Sequence, residues 1–62
     1  MSLPGDHARE VAANERVLAD IARQLAALTE DPDQQYSHLA AAHFHDERAD
    51  VHERVAHHLD AT

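Results

Sequence analysis

Apolar positions recur along the first half of the chain every three or four residues. Val11, Leu18 and Leu25 alternate with Asn14, Ile21 and Leu28, the a/d spacing of a coiled-coil seam on an amphipathic helix. Val17 widens the stripe. The stretch is a seven-residue repeat over 7–13, 14–20 and 21–27, so Ala12, Ala19 and Ala26 form a smooth strip beside the seam. Arg9, Arg16 and Arg23 are expected on the far face.

A second stretch keeps the same rhythm with fewer large side chains. Phe44, Val51 and Val55 share a face with Ser37, Ala40 and Ala41, interrupted by Arg48 and His58. Ala42, Ala49 and Ala56 make a second small-residue strip, and His38, His45, His52 and Leu59 lie between that strip and the apolar face. Between the stretches stands Asp31-Pro32-Asp33-Gln34: an N-cap, a proline at the first helical position, an acid in the first turn and a Gln placed for a capping box. The residue before a proline is pushed out of helical dihedrals, which closes the preceding helix near Thr29 or Glu30.

The predicted fold is all-α: one domain over 1–62, with helix 1 at about 6–29, a turn at 30–32 and helix 2 at about 32–60. So short a connection makes the helices antiparallel neighbours whose alanine strips can pack together. One such hairpin leaves the seam of helix 1 partly uncovered. The expected assembly is therefore a homodimer forming a four-helix bundle, with Val11, Asn14, Leu18, Ile21, Leu25, Leu28, Phe44, Val51 and Val55 at the interface. A larger protein partner is the alternative occupant. Asn14, within an otherwise apolar seam, is a residue type that sets register by pairing across the axis.

Composition supports this picture and narrows the chemistry. Thirteen Ala, one Gly and two aromatics in 62 residues describe helix rather than sheet. With no Cys there is no disulfide or thiol chemistry, and a cytoplasmic setting is expected. The first residues have neither the basic nor the apolar run of a signal peptide, and no stretch is apolar enough to span a bilayer. A chain this small rarely supplies more than ~3–5 kcal/mol from its own core, so a partner subunit or a metal is anticipated.

The formal net charge is −7, the wrong sign for a nucleic-acid or anionic-lipid partner. Protonating all seven His cancels it, which would allow pH-dependent assembly. Six of those His lie within 38–58. Residues seven apart on a helix are separated by about 10.5 Å, so His38, His45 and His52 cannot share an ion within one chain. In a twofold dimer they can meet their mates or a carboxylate such as Glu15. His43, Glu47 and Asp50 make a second candidate donor set through i,i+4 and i,i+3 spacing. Imidazole and carboxylate donors suit Zn, Ni, Co or Cu, although a half-exposed His stripe and a solvated charged face are the plainer readings of both sets.

His52-Glu53-Arg54-Val55-Ala56-His57 places its second His one residue too late for a zinc-protease helix, about 140° round. None of the Glu has the His three residues later that a di-iron bundle requires. No nucleophile, phosphate loop or catalytic pair in an enclosed cavity is recognisable, so no enzymatic activity is expected. The expectation is an acidic interaction or structural module, with a divalent-metal-binding protein as the alternative.

Overall fold

Thr29, Glu30 and Asp31 separate the two helices of the chain. In the computed structural model, which covers residues 1–62, α1 spans Asp6–Leu28 and α2 spans Pro32–Ala61. The helices lie side by side as a hairpin with no strand. Thr29 ends α1 in an extended conformation and its Oγ1 donates to the Leu25 carbonyl at 2.7 Å. Asp31 caps α2 by accepting from the Asp33 N–H at 3.1 Å, with Pro32 at the first helical position. The reciprocal contact expected of Gln34 is not made. Instead Gln35 Nε2 crosses the turn and donates at 3.1 Å to the Ala26 carbonyl, which also accepts the Thr29 N–H at 3.4 Å.

The layer measures 47 × 17 × 9 Å, a single helix thick. Apart from Gly5 and Glu15, its buried residues are all alanine: Ala8, Ala12, Ala19, Ala22 and Ala26 on α1, and Ala42, Ala49 and Ala56 on α2. The two strips pack together because a methyl group lets one helix backbone come close to the other. At the open end Gly5 serves the same purpose. A Cβ there would lie 2.5 Å from the Ala56 carbonyl oxygen, and the Gly5 N–H donates to Asp60 Oδ1 at 2.7 Å. This bond ties down an α1 start that has no side-chain cap.

Arg9, Arg16 and Arg23 lie on the side away from the Val/Leu/Ile seam, as expected, but they are not free there. Each reaches across to α2. Arg16 bonds Asp46 at 3.1 Å, Asp50 at 2.6 Å and Glu53 at 3.0 Å, Arg23 bonds Asp46 at 2.7 Å, and Arg9 bonds Asp60. The small-residue strip packs on α2 as its spacing allows, and Arg9, Arg16 and Arg23 follow Gly5, Ala12 and Ala19 by four residues each, which sets them one turn along on its flank.

Candidate functional site

The hairpin has two unlike faces. The arginines and their carboxylates run along one, and these pairs set several proton affinities. Hydrogen bonds from Arg23 and Arg16 hold the Asp46 carboxyl below its ordinary range, and bonds from Arg9 and the Gly5 N–H do the same for Asp60. The three acids around Arg16 raise its pKa further. The shallow groove between Arg9, Arg16, Glu53 and Asp60 is open to solvent, and its charges are engaged with one another.

The other face carries the large apolar residues. Leu18, Ile21, Leu25, Phe44, Val51 and Val55 are 43% to 53% exposed, and Leu28 is more so. Val11 is half-buried and Asn14 exposed. Their placement follows from a second regularity. The buried row of α1 (Ala8, Ala12, Glu15, Ala19, Ala22, Ala26) is shadowed one residue earlier by His7, Val11, Asn14, Leu18, Ile21 and Leu25. The α2 row of His38, Ala42, His45, Ala49, His52 and Ala56 is shadowed by Ser37, Ala41, Phe44, Arg48, Val51 and Val55. One residue is about 100° of helical turn. In antiparallel neighbours a turn of the same sense brings both second rows to the same side of the layer.

Glu15 sits at the centre of that face, where the two rows meet. It is 8% exposed, its Oε2 lies 2.6 Å from His45 Nδ1, and its Oε1 accepts from Arg48 Nε at 3.0 Å. With Glu15 ionised, Nδ1 carries the proton of the imidazole contact. The His45 bond, then that of Arg48, holds the Glu15 carboxyl below its ordinary range against the opposing effect of burial. Phe44 backs the cluster, its ring 5.6 Å from that of His45 and 5.4 Å from the Arg48 guanidinium, within cation–π range.

The histidine sets fall out as pairs. His45 meets Glu15, while His38 and His52 lie half-buried along the same edge. His43 Nε2 is 2.9 Å from Glu47 on the exposed surface, but the Asp50 carboxylate is turned to Arg16. No group of three or more His, Asp or Glu converges within the chain in a way that can hold a metal ion. The sequence suggests Glu15 as a carboxylate that a His of helix 2 could meet in a twofold dimer, whereas the structure pairs it with His45 within one hairpin. Arg48 read as an interruption of an apolar face, and its distance of 33 residues from Glu15 left no local signal of the pairing.

No helix is long and apolar enough to cross a membrane. No family model matches this chain, and no curated protein or solved structure matches it.

Proposed function

We propose that this protein is a self-associating interaction module whose apolar face packs against that of a second copy, giving a four-helix bundle. One observation carries the reading: heptad-spaced rows on both helices are left half exposed together on one side of the hairpin, while the opposite side is laced with ion pairs. Each helix then has two contact rows about 100° apart, close to what the corner of a square bundle requires.

The size of the face also supports it. The face runs along a hairpin 47 Å long and 17 Å wide, so both helices can contact a second copy over most of their length. Closing the half-exposed surface of a residue such as Leu18 stabilises by roughly 1 kcal/mol per copy, half of a full leucine burial. Glu15 enters the bundle already bonded to His45 and Arg48, so its carboxylate is not stranded.

Sedimentation equilibrium at micromolar concentrations tests the proposal. The expected mass is twice the 6.9 kDa of the chain, and Leu18→Asp is expected to reduce it to one chain. A fully helical parent that sediments at 6.9 kDa overturns it.

A further inference from the structure

We infer that the two hairpins associate with their turns at the same end, about a twofold axis parallel to the helices, so that α1 of each copy docks on α2 of the other. This deepens the self-association reading and rests on it.

The inference comes from level and register. Within the hairpin, Arg16 bonds Asp46 and Gln35 bonds Ala26, so residues whose numbers add to about 62 stand at the same height. A twofold axis parallel to the helices preserves height. It therefore sets each second-row residue of α1 beside the level second-row residue of the partner's α2. Val11 meets the partner's Val51, Leu18 the partner's Phe44, and Ile21 the partner's Ala41. The polar residue of one row, Asn14, falls opposite the polar residue of the other, the partner's Arg48.

A twofold axis perpendicular to the helices also stacks the apolar faces, but runs each α1 against its own reversed copy. In the registers that keep the seam residues in contact, Asn14 then faces the partner's Leu18 or the partner's Leu25. An amide against leucine in a closing seam loses hydration without a bonding partner. Arg48, by contrast, is poised for the first arrangement. Its Nε is committed to Glu15, while neither terminal nitrogen makes a hydrogen bond within the chain, leaving both free to donate to the partner's Asn14 Oδ1. The resulting layer of Glu15, His45, Arg48 and the partner's Asn14 would fix orientation in the way a single polar position fixes coiled-coil register.

The absence of cysteine makes the test direct. Glu30→Cys, at an exposed turn residue that makes no side-chain bond, places one nitroxide label in the turn of each copy, and pulsed dipolar spectroscopy reads the distance between them in the dimer. Turns at the same end put the labels less than about 30 Å apart, given interaxial distances of ~8–10 Å and the length of the label arms. Turns at opposite ends separate them by about the 47 Å length of the hairpin. A short distance in a species of two-chain mass supports the inference. A long distance in that species overturns the orientation but leaves self-association standing, whereas a single-chain mass overturns both. In the same labelled chain, Asn14→Leu is expected to keep the dimer but add a population at the long distance. An unchanged single short distance would show that Asn14 and Arg48 do not set the orientation.

Discussion

Replacing Ala49 by leucine tests whether methyl-to-helix contact holds the hairpin together. Leucine adds three carbons, and burying them where room exists would stabilise by about 2.4 kcal/mol at ~0.8 kcal/mol each. Here there is no room. Ala49 is 0% exposed, and the facing strip of α1 is equally closed, with Ala12 at 2% and Ala19 at 0%. The helices must part, uncovering Ala42 and Ala56 and stretching the 2.6 Å Glu15–His45 contact. Overpacking of this kind costs typically 1–3 kcal/mol, a large share of the ~3–5 kcal/mol available to a chain of this size. At roughly 4–8 °C per kcal/mol, the midpoint should fall by about 5–20 °C. Thermal unfolding followed by circular dichroism measures it, at one fixed protein concentration because association links stability to concentration. Ala40→Leu, on the exposed surface of α2, is the control and should melt within roughly 4 °C of the parent. An Ala49→Leu protein that melts at or above the parent refutes the tight-strip account.

Acid should unfold the protein in a defined direction. Glu15, Asp46, Asp60 and Asp6 are all held below their ordinary values by hydrogen bonds, so the stability they contribute is present above about pH 4 and is lost as pH falls through the depressed values; denaturant midpoints that stay level from about pH 5 to about pH 2.5 contradict this. Arg16→Ala removes the hub that joins Asp46, Asp50 and Glu53, and its effect on the melting midpoint should shrink between low salt and about 1 M NaCl, because these exposed pairs are screened; an effect that does not change with salt points to lost packing of the arginine stem instead. Chelation by EDTA should leave the melting curve and the sedimenting mass unchanged, since Asp50 is held by Arg16 and Glu15 by Arg48; a drop in either reveals a metal shared between copies.

Local signals made the elements legible. The Asp31-Pro32 start of α2 is a short-range instruction written in the turn itself, and α1 ends at Leu28, one residue before the expected closure at Thr29 or Glu30. The alanine strips also read correctly, because their heptad spacing needs nothing beyond the helix that carries them. The arginine pairs did not, since only the position of α2 shows that Arg9, Arg16 and Arg23, on the side away from the seam, reach Asp46, Asp50, Glu53 and Asp60. Of the candidate donor sets, the i,i+4 pair His43–Glu47 formed as its spacing implies, while Asp50 went to a cation 34 residues away.

The residues by themselves determined two helices, their turn and their antiparallel pairing, because periodicity, caps and a proline act over a few residues. Only the tertiary structure showed that the alanine rows, which the sequence allowed to pack together, are the ones that meet. Both rows repeat every seven residues and differ by one position, so periodicity cannot rank them. What ranks them is the fit of one helix against another: alanine permits close approach along one row, and Glu15, His45 and Arg48 join across it. That choice turns Val11, Leu18, Ile21 and Leu25 away from α2, together with Phe44, Val51 and Val55, and leaves them as the face on which the proposed function rests.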